Sequence, residues 1–152
     1  MKLLIDTNIL GKICHPNANK NKPIATAVRT AMQSDKYLFV IPEIVDYELR
    51  RKYLHLTYSK YAHEVNFGTR CLTLLDSYCS SLVYLEINTA AMKKAAHFWG
   101  NSRANGKSTS DEKSLDADVI LAAQATLAQG QVLTENAKHL SLFVATKTWQ
   151  QL

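Results

Sequence analysis

The sequence predicts an α/β protein with a mostly parallel sheet and helices on both of its faces. Two observations carry this. Five short apolar runs, rich in β-branched and aromatic residues, recur along the chain. They are continuous rather than alternating, as strands covered on both sides should be. Stretches with helical periodicity separate most of them, so successive strands are joined by crossovers, which are right-handed almost without exception.

Taken in order, "LLI" (3–5) is the first strand, "YLFVI" (37–41) the second and "LVYLEI" (82–87) the third. "QVLT" (131–134) and "LFVAT" (142–146) are the fourth and fifth. Helices are expected at 8–14, 23–34, 42–57, 60–79, 89–100 and 117–129. Pro23 and Pro42 suit the first turns of two of them, and Gly130 suits the residue just past the end of another. The low-hydrophobicity stretch "NSRANGKSTSDEKS" (101–114) is expected to be an exposed loop. There is no internal repeat and no interdomain linker, so residues 1–152 are read as a single domain, long enough to bury a sizeable core.

A hydrophobic fraction of 47% and a charged fraction of 20% belong to an ordinary soluble protein. No apolar run approaches the roughly 20 residues that span a bilayer, and the N-terminal segment lacks a long apolar signal region. The expectation is a cytoplasmic protein without membrane contact. Cys14, Cys71 and Cys79 are odd in number and form no C-x-x-C pair. They are read as reduced thiols, which excludes a disulfide framework or a zinc site. A net charge of +5 biases partners toward polyanions. Nucleic acid fits that bias, although charge alone does not select it.

Acidic residues at the strand ends carry the chemistry. The first strand finishes on Asp6, followed by Thr7 and Asn8; the fourth finishes on Thr134, followed by Glu135 and Asn136. Open parallel sheets bind ligands outside the carboxyl ends of their strands. A cap for the helix beginning near Ile9 would explain one of the first group. It would not explain polar groups recurring at matching strand ends, and Asp6 is therefore placed in a site.

The segment "SLDADVILAAQATLAQG" (114–130) is apolar almost all round from 119 to 128, as a buried helix should be. Asp116 fits either an N-cap or an outer metal ligand. Asp118 leads directly into the apolar part and so lies close to the core, in the site. In "IPEIVDYELRRKY" (41–53), Ile44, Val45, Glu48 and Leu49 share one helical face. Glu43, Asp46 and Arg50 fall opposite, as a solvated face on which Asp46 and Arg50 pair. Glu48 alone points inward, where a buried carboxylate needs a cation or several donors. Lys52, one turn on, is the plain candidate for that cation.

Gathered at one sheet edge, Asp6, Glu48 and Asp118 form an oxygen-only cluster suited to a hard cation, Mg²⁺ or Mn²⁺. An acidic cup on a basic protein points to the handling of phosphodiesters. In order, "LIDTNIL", "IPEIVDYEL", "LDADVILAAQA" and "VLTEN" followed by "LSLF" resemble the motifs of PIN-domain ribonucleases. They are especially similar to VapC-type toxins of toxin–antitoxin pairs. Each motif is weak alone; four in order, from Lys2 to about Trp149, make a specific pattern.

The resemblance implies a three-layer α/β/α fold and divalent-metal-dependent RNA cleavage by activated water. It also implies a small antitoxin partner and a homodimer. Residue by residue, Asp6 matches the first acid, Glu48 the helix acid and Asp118 the acid before the last long helix. These three are expected to be catalytic and, with Asp116, metal-binding. Asn136 stands where many relatives carry Asp, which leaves one metal, or recruitment of Asp116, as the two arrangements. Thr7, Asn8 and Thr134 match positions that support water or phosphate.

Arg50, Arg51, Lys52, His55, Lys60 and His63 form a basic stretch interleaved with Tyr47, Tyr53, Tyr58 and Tyr61. Such a surface binds single strands, or serves as a solvated face or a dimer interface. Two rival classes stand beside this one. A haloacid-dehalogenase-like phosphatase needs a second Asp two residues after the first, where Asn8 stands. A catalytically weak or inactive PIN-like module that binds RNA or antitoxin would keep the fold and lose the chemistry.

Overall fold

A computed structural model describes residues 1–17, 19–106 and 112–152. Five parallel strands form one sheet in the order β3-β2-β1-β4-β5, with β1 Lys2–Ile5, β2 Leu38–Pro42, β3 Val83–Leu85, β4 Gln131–Leu133 and β5 Thr146–Lys147. The helices are α1 Thr7–Ile13, α2 Lys22–Met32, α3 Glu43–Thr57, α4 Ala62–Ser81, α5 Thr89–Ala104, α6 Glu112–Leu127 and α7 Ala137–Leu140. A 3₁₀ turn, Trp149–Gln151, follows β5.

Contacts divide the helices into two groups. Helices α1 to α4 pack on one another, and α5 to α7 do the same. With right-handed crossovers these groups cover opposite faces of the sheet, giving three layers. Strands β1 and β2 are buried except at their first residues, which is why their sequences read as unbroken apolar runs. Helix α3 also touches α6, joining the two helix groups. Because β1 lies between β2 and β4, the chain leaves β1 toward one side and β4 toward the other. The β1–β4 junction is therefore the topological switch point, where such sheets open a crevice.

Several expected elements are corrected. Residues 142–144 are not strand: α7 ends on buried Leu140, whose carbonyl accepts from the N–H groups of Phe143 and Val144 in a turn. Only Thr146 and Lys147 pair with β4. Helix α7 went unread because four residues carry no periodicity. Helix α5 runs through Ala104, into the expected loop, and α6 begins at Glu112 rather than at 117. The rest of that loop, residues 107–111, lies outside the described residues. Asp116 is consequently inside α6 and not its cap.

Gly130 also has a different role from the expected one. The left-handed residue that ends α6 is Gln129, with φ 55°. Gly130 is needed for close approach, since a Cβ there would lie 2.6 Å from Leu4 Cδ1 and 3.2 Å from the Lys2 carbonyl oxygen. The three cysteines are free thiols, and burial pushes Cys14 up to about 12 and Cys79 up to about 11. Among the described residues no helix is long and apolar enough to cross a membrane.

Helices α3 and α4 pack through Gly68, where a Cβ would lie 2.8 Å from the Tyr53 carbonyl oxygen and 2.9 Å from Leu56 Cβ. Backbone cannot yield there as a flexible side chain would. Gly68→Ala should therefore destabilise the protein by about 1–3 kcal/mol, as overpacking does. Gly100 sits in α5 with nothing near its missing Cβ. Gly100→Ala should instead gain about 0.5–1 kcal/mol. Urea unfolding of both variants checks the opposite signs.

Candidate active site

Asp6 is the first residue after β1, and its N–H donates to the Leu133 carbonyl at 3.0 Å, one step beyond the last β1–β4 pair. Its backbone occupies the N-cap position of α1, so the capping alternative is correct about place. The carboxylate does more than a cap. Oδ1 accepts from the Thr7 N–H at 2.6 Å, and Oδ2 accepts from the Thr134 hydroxyl at 2.6 Å. An ordinary N-cap would serve the N2 or N3 amide instead. Asp6 is 8% exposed, and that burial raises its pKa against the two donors, which lower it.

Thr134 sets this arrangement across the switch point. Its hydroxyl gives its one proton to Asp6 and accepts from the Asn136 N–H at 2.9 Å and the Asn8 amide at 3.4 Å. Asn8 reaches the same loop again by accepting from the Glu135 N–H at 3.4 Å, and Lys12 pairs with Glu135 at 2.5 Å. Helix α1 is thereby stapled to the segment after β4. The Lys12–Glu135 pair was not legible in the sequence: Glu135 falls in "VLTEN", but Lys12 belongs to no motif and 123 residues separate the two.

Glu48 enters from the second turn of α3. Its Oε2 accepts from the Thr7 hydroxyl at 2.6 Å. Thr7 thus bridges two carboxylates, holding Asp6 with its amide and Glu48 with its hydroxyl. The cation nearest Glu48 is Arg51, at 3.9 Å and largely exposed, so Lys52 is not the partner expected from helical spacing. Asp118 comes from α6. Among the described residues its carboxylate makes no hydrogen bond or ion pair. Burial, then the charges of Asp6 and Glu48, push its pKa from an ordinary 3.8 up to about 7.

Asp6, Glu48 and Asp118 line one cleft of about 720 Å³, together with Thr7, Asn8 and Asn136. Its walls bring in cations that sequence reading left outside the site, Lys12 and Lys20, beside Arg51 and Lys52. Asn136 is exposed on this cleft and supplies a neutral amide. Asp116 does not join the others. It is exposed and lines a separate pocket of about 410 Å³ with Met92, Trp99 and Ile120. Two residues before Asp118 is about 200° around the helix, which turns it away from the acids.

Glu43 and Asp46 do not form the solvated face expected of them. Asp46 is buried, accepting from the Tyr84 hydroxyl at 2.9 Å and pairing with Arg50 at 2.9 Å. Arg50 also holds Asp76 of α4, at 2.8 Å. Glu43 accepts from the Ile87 N–H at 2.6 Å. These bonds tie the rear of α3 to β3 and α4, so they fix the rotation that turns Glu48 toward the cleft. The helical phase itself is as read; what covers the opposite face was not visible in it.

No family model and no curated relative matches this chain. Solved structures do. A chain of VapBC2 from Rickettsia felis, bound to a DNA fragment from their promoter, superposes with a TM-score of 0.72 at 15% identity, covering 98% of this chain and 99% of that one. VapBC-1 from nontypeable Haemophilus influenzae gives 0.70 at 16% identity, with 99% of each chain covered. DNA-bound VapBC from Salmonella typhimurium gives 0.70 at 20%, with 98% of each covered. The fold implied by the sequence motifs is the fold observed: this chain has the PIN-like α/β/α architecture of these VapBC proteins.

Proposed function

We propose that the protein is a divalent-metal-dependent endoribonuclease, acting in the cytoplasm as the toxin of a toxin–antitoxin pair. The observation that carries this reading is the convergence of three carboxylates, from three different elements, on one cleft at the switch point, where among the described residues the long, exposed Glu48–Arg51 contact is the one ion pair they make. Burial first, and then the charges of Asp6 and Glu48, raise the pKa of Asp118 in this cleft.

The donor set fits Mg²⁺ or Mn²⁺. It is all oxygen, and among the described residues neither Asp118 oxygen has a hydrogen-bond partner. Among the described residues no three ligands converge into a tight cage. Magnesium does not need one, since it keeps several waters and uses one or two carboxylates plus substrate phosphate. Asp6 and Asp118 would hold the ion, with Glu48 facing it. When bound, such an ion polarises a phosphoryl oxygen and acidifies water.

The chain's own residues do the rest. Thr7 and Thr134 fix Asp6 and Glu48, whose bonded oxygens each retain a lone pair beyond the hydrogen bond they accept. Arg51, Lys52, Lys12 and Lys20 stand where the phosphates of a strand crossing the cleft would lie. The solved neighbours are VapBC complexes, which supports a second protein as partner. One observation favours the alternative of a weak or inactive binding module: Asn136 withholds a fourth negative charge.

Purified protein should cleave RNA with Mg²⁺ or Mn²⁺ and lose that activity in EDTA. Equal cleavage in EDTA would exclude the metal mechanism, and no cleavage with any metal would favour the binding module. Glu48→Gln should reduce cleavage by at least about 100-fold, the upper end of what even an outer-shell partner contributes to a metal site. Glu43→Gln should keep activity within a few-fold, because a glutamine oxygen still accepts from Ile87.

Asp118 yields a stability prediction with a definite sign. Its folded pKa, about 7, exceeds its ordinary 3.8, so the folded protein holds the proton more tightly. That contribution is complete below about pH 4 and is lost as pH rises through about 7. In EDTA above pH 7, Asp118→Asn should therefore melt at or above the wild-type temperature, with the advantage gone near pH 4. Added Mg²⁺ should stabilise the wild type by about 2.7 kcal/mol at a hundredfold excess over Kd, and the variant by less. A destabilised variant with a full Mg²⁺ response would remove Asp118 from the site.

A further inference from the structure

The exposed aromatic side chains of this protein are not scattered. Of ten large apolar residues left exposed among the described residues, Tyr47, Leu54, Tyr58 and Tyr61 fall in one stretch, on α3 and the turn into α4. Tyr47, Arg51, Leu54 and Tyr58 follow at steps of four, three and four, which is one stripe along a helix. Tyr58 is 86% exposed and Tyr61 51%. No acid occurs in residues 49–63, whereas Arg51, Lys52, His55, Lys60 and His63 do, all exposed.

Two further features bear on what this stripe binds. Cations already sit on its rings: Arg51 lies 5.2 Å from the centre of Tyr47, and Lys60 lies 5.1 Å from that of Tyr61. The turn that carries Tyr58 and Tyr61 is also firmly held. The Tyr61 N–H donates to the Ser59 hydroxyl at 3.1 Å, and that hydroxyl donates to Glu64. Close packing at Gly68 anchors α4 behind it. The stripe is therefore a rigid basic surface with flat faces, and it is continuous with the cleft, because Arg51 and Lys52 line both.

We infer that this stripe is a docking track for the single-stranded arm of an RNA substrate, beyond the bond that is cut. Phosphates would lie along Arg51, Lys52 and Lys60, with bases stacked on Tyr58 and Tyr61. The surface has no complementarity to a particular base edge, so it selects unpaired strands rather than a sequence. A strand crossing the carboxylates must leave the cleft, and the α3 stripe is a positively charged, aromatic way out. Along α3, Glu48 and Tyr58 are separated by about 15 Å, so the track reaches nucleotides well clear of the reacting phosphate.

This inference rests on the RNA-cleaving reading, and its test separates the two. Binding of a fluorescein-labelled, uridine-rich single-stranded RNA is measured by anisotropy in EDTA, where no cleavage is expected. The double variant Tyr58→Ala, Tyr61→Ala should bind at least about tenfold more weakly. The corresponding double Phe variant should match wild type, since stacking needs only the ring. Affinity for a duplex of the same length should not change. With Mg²⁺, the Ala pair should raise KM for long unpaired RNA and leave kcat unaltered. RNA binding equal to wild type would overturn the inference even if cleavage were normal. Unchanged RNA binding with an altered mass by light scattering would overturn it too, and assign the stripe to a protein contact. Weakened binding in a protein that cleaves nothing would uphold the track and overturn the nuclease reading.

Discussion

Everything in the site depends on one buried carboxylate. Asp6 sits where β1 and β4 part company, and the sheet brings Thr134 within hydrogen-bonding distance of it. A lone buried carboxylate is costly unless several donors meet it. Here the Thr7 amide and the Thr134 hydroxyl supply two. The same two residues then organise the surroundings: Thr7 reaches Glu48 on α3, and Thr134 collects Asn8 and Asn136. A single acid at the strand end thereby sets the positions of groups from α1, α3 and the segment after β4.

The rest of the fold serves that point by fixing helix orientation. The bonds from Asp46 and Glu43 to Tyr84 and Ile87 lie on the side of α3 away from the cleft. They leave α3 one rotation, and that rotation presents Glu48. Helix α6 meets α3 from the opposite layer and contributes Asp118. Asp6 and Glu48 are held by hydrogen bonds within the protein, whereas among the described residues the Asp118 carboxylate faces them without one. The frame turns three carboxylates toward one cleft, and the proposed cation site rests on that arrangement.

How much of this was legible follows from where the information lies. Asp6, Glu48 and Asp118 could be found because each interrupts a local pattern: an acid closing an apolar strand, facing inward on a helix, or leading an apolar helix. The parallel sheet follows from helix-separated apolar runs, but the order of its strands does not. Thr7 and Thr134 were recognisable as positions, but their task of clamping carboxylates was not. The partners that define it are 41 and 128 residues away in the chain. Asp46 read as solvated because a helical wheel shows which residues share a face, not what will cover it. Asp116 read as a cap or a ligand because the start of α6 was placed too late; from Glu112 onward it lies inside the helix, and the helical phase turns it away from Asp118. Lys12 and Lys20 are ordinary surface lysines in the sequence, and become cleft walls only when α1 and the loop after it fold over the switch point.

The central claim is that Asp6, Glu48 and Asp118 share one cation. Calorimetric titration of Mn²⁺ into the wild type and into Asp6→Asn, Glu48→Gln and Asp118→Asn tests it without reference to any substrate. The account predicts saturable binding by the wild type and an affinity at least about tenfold weaker in each of the three variants. Wild-type affinity in any one of them would contradict it.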